Sequence, residues 1–97
     1  MPIFVMFGHD GPEGLSRRPA VRPQHLEHLR TLDRQGRIQF AGPMFADDGE
    51  TPVGSVVVFE APDLEVAQAH CAHDPYVLEG VFGDWQVRPI LQVFPES

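Results

Sequence analysis

Five consecutive apolar residues, Ile3-Phe4-Val5-Met6-Phe7, restrict how this chain can fold more than any other feature. The stretch is rich in β-branched and aromatic side chains, the composition of a strand. Successive strand side chains point to opposite faces, so Ile3, Val5 and Phe7 share one face and Phe4 and Met6 the other. The run Val56-Val57-Val58-Phe59 repeats the pattern. A sheet covered on one face alternates apolar with polar residues. These strands do not alternate, so their sheet needs cover on both faces.

Turn formers divide the rest. The first strand spans residues 2–8, and the turn-rich "HDGPEG" follows as a loop. A helical period runs from about Ser16 to Gln35, with Pro19 and Pro23 in its opening turns and Gly36 as its C-cap. Residues 37–43, "RIQFAGP", read as a second strand, "MFADDGETPV" as a loop or wide hairpin connection, and "GSVVVFEA" as a third strand. Asp63 is the expected N-cap of a second helix ending near Ala72. "DPYVLEGVFG" reads as an irregular connection, and "DWQVRPILQVF" as a last strand that Pro89 confines to an edge or a bulge. The order β-α-β-β-α-β is the split βαβ arrangement of an α+β, ferredoxin-like domain with an antiparallel sheet. The 97 residues make one such domain, spanning 1–97, with no internal repeat. Two helices cover one face of the sheet. The other calls for a partner, and a second copy across a two-fold axis is the simplest, giving a homodimer through the sheet faces.

Composition removes several classes. No run approaches the roughly 18 apolar residues of a membrane span, so no membrane partner is expected. The start "MPIFVMFGHD" lacks a basic segment and reads as a strand rather than a signal peptide. A single cysteine excludes an internal disulfide, and the cytoplasm is the expected compartment. The net charge is −7, and no basic run extends beyond Arg17-Arg18, so nucleic acid is not an expected partner. Six of the seven arginines nevertheless fall between positions 17 and 37. Such a patch either steers a small anion or is a solvated helix face.

On a helical wheel with Leu26 at zero, Leu29 and Leu32 centre an apolar stripe near about 300°. His25 falls at about 260° and Arg22 at about 320°, inside that stripe, while His28 lies at its border near about 200°. A buried polar group without a partner costs about 1–3 kcal/mol, so both inward residues need partners. One reading is a core histidine bonded to a backbone carbonyl, with Arg22 snorkelling past the helix end. The other uses Asp74, in the turn "AHDPY" after the second helix. Asp-Pro ends a helix, because the residue before proline is pushed out of helical geometry. In a split βαβ fold that turn can return near the start of the first helix. A His–Asp pair fixes the imidazole tautomer and strengthens it as a base.

The second wheel puts Ala67 and Cys71 inside, His70 at the edge and His73 in solvent, so Cys71 reads as a small core residue. The i,i+3 pairs His25/His28 and His70/His73 each have a member turned away from the inner face, so no metal site is expected. His9 reads as a solvated loop histidine. There is no G-x-G-x-x-G, phosphate-binding loop or G-x-S-x-G, and no serine stands beside a histidine.

The segments "RPQHLEHLRTLDRQGRIQFAGP" and "AHDPYVLEGVFGDWQVRPI" resemble the YCII-related (YciI-like) family. The likeness lies in the R-x-x-H-L helix start, the G-x-x-x-x-x-G-P second strand, the D-P-Y turn and the V-x-P last strand, in that order. It implies a ferredoxin-like domain that pairs as a dimeric α+β barrel, with a His–Asp site. Carried over, that site is His25 with Asp74, and Arg22, Gly42, Pro43 and Tyr76 surround the same cleft. Ile90 departs from the pattern, since an aromatic residue is common after that proline, and this alters packing. A characterised relative eliminates chloride from a chlorinated hydroxyquinol and needs no cofactor. The resemblance therefore implies cofactor-free, lyase- or isomerase-like chemistry on a small aromatic or anionic molecule. His25 is the expected base, Asp74 its orienting partner and Arg22 the receiver of an anionic oxygen, while Gly42-Pro43 and the ring of Tyr76 shape the pocket. A non-catalytic ligand-binding or regulatory module using the same cleft is the alternative. A third reading is a structural dimer in which His25 and Asp74 form a buried stabilising pair.

Overall fold

A computed structural model describes residues 1–96. The elements are β1 (Ile3–Asp10), α1 (Gly14–Asp33), β2 (Ile38–Phe45), β3 (Pro52–Glu60), α2 (Leu64–Ala72), α3 (Pro75–Leu78) and β4 (Phe82–Ile90). The four strands form one sheet in the order β2-β3-β1-β4, with every neighbouring pair antiparallel. This is the ferredoxin-like arrangement expected from the element order. Pro43 lies on β2 and Pro89 on β4, the two edge strands, where a missing ladder donor is tolerated.

Register explains why β1 is apolar throughout. Phe4 lies opposite Phe59, Met6 opposite Val57 on β3, and Met6 opposite Val87 on β4. That face packs under the helices, where Val21, Ala67, Cys71 and Tyr76 complete the core. On the other face Val5 opposes Val58, Phe7 opposes Val56, and Phe40 opposes Val58. Among the described residues no helix covers it, and Phe40 is 59% exposed.

Several boundaries move. β1 continues through His9 and Asp10, which were expected in a loop, with a register shift between them. α1 begins at Gly14, so Pro19 and Pro23 stand inside the helix rather than in its opening turn. Their i,i+4 spacing puts both on an exposed face, where water can satisfy the carbonyls they leave unpaired. Gly36 ends the helix as expected: at φ 70°, it donates to Asp33 while Arg37 donates to Leu32, closing a Schellman-type cap. Asp63 accepts from the backbone N–H of Val66 at 2.8 Å, capping α2. The connection expected to be irregular contains the single-turn helix α3.

Candidate active site

Arg18, Arg22 and His25 follow one another at i, i+4 and i+7 along α1, so they share a face of the helix. His25 is 7% exposed. Its ring is held from two sides by the turn after α2. Asp74 N-caps α3 with Pro75 at the first helical position, a pairing that fixes the backbone of the turn. Its Oδ1 accepts from the Tyr76 backbone N–H at 2.9 Å and from His25 Nδ1 at 2.7 Å. A carboxylate can only accept, so Nδ1 carries the proton and the lone pair of neutral His25 stays on Nε2. Tyr76 then stacks on the imidazole with ring centroids 3.7 Å apart and planes 4° from parallel. The other face-on contact of this group is Arg18, whose Cζ lies 5.1 Å from the Tyr76 centroid.

Arg18 and its partner Asp10 are not among the residues that the sequence singles out. The side chain is buried, with Nε donating to Asp10 Oδ2 and Nη2 to Asp10 Oδ1, each at 2.8 Å. Nη2 also donates to the Gly54 carbonyl at 2.8 Å and to Ser55 Oγ at 3.3 Å. Gly54 can present its carbonyl there because it has no Cβ, which would collide with the Gly8 carbonyl of β1. Burial alone would lower the Arg18 pKa, but the hydrogen bonds and charge of Asp10 outweigh it and raise the value. Burial likewise raises the Tyr76 phenol, against the pull of the Arg18 and Arg22 cations.

Arg22 departs from expectation. It was expected inside the apolar stripe, but it is exposed. The stripe is one-sided because Leu26 and Leu29 are themselves only half-buried. They face a cavity of about 160 Å³ rather than a closed core. Arg22 stands at the same cavity, together with Arg18, His25, Ser55 and Tyr76. Gly42 and Pro43 of β2 form the opposite wall with Ala41. Five of the six expected site residues thus line one cavity. Asp74 lies behind His25, reaching the cavity only through the imidazole.

The remaining histidines fall elsewhere. His28 was expected to turn away; instead it stacks on His70 across the α1–α2 interface, centroids 4.1 Å apart, with Nε2 donating to the His70 carbonyl at 2.8 Å. The wheel measures orientation to the sheet, and this contact is to the neighbouring helix. His70 Nε2 is buried with no partner among the described residues, and burial together with the nearby His28 pushes its pKa down to about 4. His73 is exposed and its Nδ1 donates to the Ala69 carbonyl. His9 is exposed at the end of β1. Cys71 is a core residue whose thiol is pushed up to about 12 by burial and by Asp74. Among the described residues no three His, Cys, Asp or Glu side chains converge as a metal-binding group.

The YCII-related domain pattern matches residues 3–91. The protein YciI of Escherichia coli O6:H1 is 40% identical over 97 residues, spanning 95% of this chain and 99% of that one. Among solved structures, the 5-chloro-2-hydroxyhydroquinone dehydrochlorinase TftG of Burkholderia phenoliruptrix AC1100, in complex with 2,5-dihydroxybenzoquinone, is similar with a TM-score of 0.76 and 26% identity, over 89% of this chain and 90% of that one. An antibiotic biosynthesis monooxygenase is similar in fold alone, with a TM-score of 0.56 and 17% identity over 96% of this chain and 99% of that one. These neighbours place the architecture with the dimeric α+β barrel folds. From a family pattern covering almost every described residue, and a YciI relative matched nearly end to end, the chain belongs to the YCII-related family.

Proposed function

We propose that this protein is a cofactor-independent enzyme of lyase or isomerase type, working by general acid–base chemistry on a small aromatic or anionic molecule. One observation carries the reading. His25 lines a ligand-sized cavity with Nδ1 committed to Asp74, so Nε2 is the nitrogen left to take a proton. In an elimination, Nε2 would accept the proton of a substrate C–H bond. That bond's electron pair would form the new double bond, and the leaving group would depart with its own pair. Asp74 orients the ring throughout and faces the positive charge that develops on it. Arg22, at the exposed side of the cavity, draws anions toward its mouth, and Gly42, Pro43 and Tyr76 shape the walls. The step requires no group beyond these side chains. The similar dehydrochlorinase, bound to a single-ring quinone, supports a reaction and a ligand size of this kind.

The enzyme also works as a homodimer joined through the uncovered face of its sheet, where Phe7, Phe40, Val56 and Val58 lie, and it belongs in the cytoplasm. Screening single-ring phenols and small acids for turnover, then repeating the assay with His25→Ala and Asp74→Asn, tests the mechanism. Each variant is expected to lose at least about a hundredfold in kcat, the scale of general acid–base catalysis. Undiminished turnover in both would remove His25 as the base. Retention of a bound ligand without chemical change would instead favour a binding module.

A further inference from the structure

Arg18 has donors that the protein does not use. A guanidinium offers five N–H groups. Nε and Nη2 spend theirs on Asp10, Gly54 and Ser55. Nη1 has no hydrogen bond of good geometry among the described residues, with the Tyr76 hydroxyl the polar group that interacts with the guanidinium from the cavity side. Arg18 lines the cavity, and its Nη1 is not one of the fully buried atoms left without a partner, so the cavity is where that donor meets water or a ligand. Ser55 is 3% exposed, lines the same cavity and can turn its hydroxyl proton toward the same point. The fork is held still by the two parallel bonds to Asp10, the arrangement that gives arginine its geometric selectivity. Arg22 shares the cavity but is exposed, so water competes for its donors.

Resting on the reading of His25 as the base, we propose that Arg18 Nη1 and the Ser55 hydroxyl form an oxyanion subsite. They receive the ionised or ionising oxygen of a single-ring phenol or enol whose reacting carbon faces His25. Asp10 is the positioning residue for that fork. Size fits this class. The cavity, about 160 Å³, matches the roughly 150 Å³ that accommodates one benzene ring. Arg18 and His25 are two turns apart on α1, about 10 Å along the axis, and the Tyr76 ring lies against both, so a ligand ring lies across these side chains on the cavity side. As His25 removes the proton, charge moves through the conjugated ring onto the oxygen, where preorganised donors in a water-poor site act most strongly.

The test uses para-nitrophenol, whose absorbance reports its ionisation, and para-nitroanisole as its neutral counterpart. In the wild-type protein the bound phenol is expected to ionise at lower pH than free phenol, and to bind tighter than the anisole by roughly ten- to hundredfold, the range for hydrogen bonds to charged groups. Arg18→Met is expected to abolish both differences while leaving anisole binding unchanged. Arg18→Lys restores the charge without the fork and recovers only part of the effect; Arg22→Met retains most of it. If Arg18→Met does not fold, the Nη resonances of Arg18 in the wild-type protein decide, since they must shift as the phenolate saturates the site. Unmoved Arg18 resonances, transfer of the loss to Arg22→Met, or no phenolate binding by wild type would each overturn the subsite. His25→Ala separates the two ideas: it is expected to retain phenolate binding and the ionisation shift while losing turnover. A His25→Ala variant with full turnover would defeat the catalytic reading and leave the Arg18 binding result to stand alone.

Discussion

The ring of His25 lies flat on that of Tyr76, and the backbone N–H of Tyr76 shares Asp74 Oδ1 with His25 Nδ1. One short turn therefore holds the imidazole by its edge and by its face. Restraining both leaves the ring little freedom to rotate its Nε2 away from the cavity, the preorganisation a proton-transfer base needs.

The stack predicts a split between two Tyr76 variants. Tyr76→Phe keeps the flat ring and is expected to stay within about 1 kcal/mol of wild type, with the His25 Nδ1–H signal retained in nitrogen-resolved NMR. Tyr76→Ala empties a core position that is 2% exposed, and such truncations cost about 3–5 kcal/mol. Loss of the Nδ1–H signal in the Phe variant would show that the hydroxyl, not the stack, governs the ring.

Asp74 carries two separable loads. Asp74→Ala removes an N-cap worth about 1 kcal/mol. It also leaves the His25 Nδ1–H buried without an acceptor, a further 1–3 kcal/mol or so. Urea unfolding should register a combined loss of roughly 2–4 kcal/mol. Asp74→Asn keeps an oxygen in place for both donors and should cost under about 1.5 kcal/mol, yet remove the charge facing the imidazole. Equal losses from the two substitutions would contradict this division.

Much of this was legible in the sequence because local rules acted without opposition. Asp63 and Gly36 cap their helices, Pro89 falls on an edge strand, and His25 comes to the turn bearing Asp74. Arg18 was hidden by its neighbour. It stood within the helical period expected from about Ser16, but read only as half of the short basic pair Arg17-Arg18. Extended back, the same wheel puts Arg18 at about 280°, as close to the centre of the stripe as Arg22 at about 320°, so the wheel alone does not separate the buried arginine from the exposed one. Asp10 was hidden among turn formers, although β1 extends through it. His28 was misread because its contact, His70, comes from the other helix.

His70 predicts an acid-sensitive joint between α1 and α2. Its folded pKa is pushed from 6.5 to about 4 by burial and by His28, with His73 acting in the same direction and Asp74 against them. The unfolded chain therefore binds more protons between those values, and stability falls as pH drops through that window. Above about pH 6.5 the contribution is flat. His70→Leu removes the titrating group, so its melting temperature should fall less than that of wild type between pH 6.5 and 4. Carboxylates lower both curves on acidification, so the difference between them isolates His70. Parallel curves would mean that His70 is protonated without penalty in the folded protein.

The uncovered sheet face predicts the assembly. Ile3, Phe7, Val56 and Val58 lie partly exposed around a buried Val5 on the sheet face opposite the helices, with Phe40 59% exposed at the β2 edge. Leu91, Val93 and Phe94 leave β4 beside that surface and are 85%, 64% and 73% exposed. Apolar area of this extent on one side of a small domain is covered in a stable protein, and a two-fold pairing covers both copies at once. Light scattering at micromolar concentration should give twice the 10.8 kDa chain mass. Val58 is opposed by Val5 on one side and Phe40 on the other, so Val58→Glu places a charge in the middle of the interface. That variant should run as a monomer or become insoluble, because an unpaired buried charge costs far more than one lost apolar contact. An equivalent surface charge at Glu65 of α2, introduced as Glu65→Lys, should leave the mass unchanged. A wild-type mass of one chain, or a Val58→Glu variant that still pairs, would move the interface off this face.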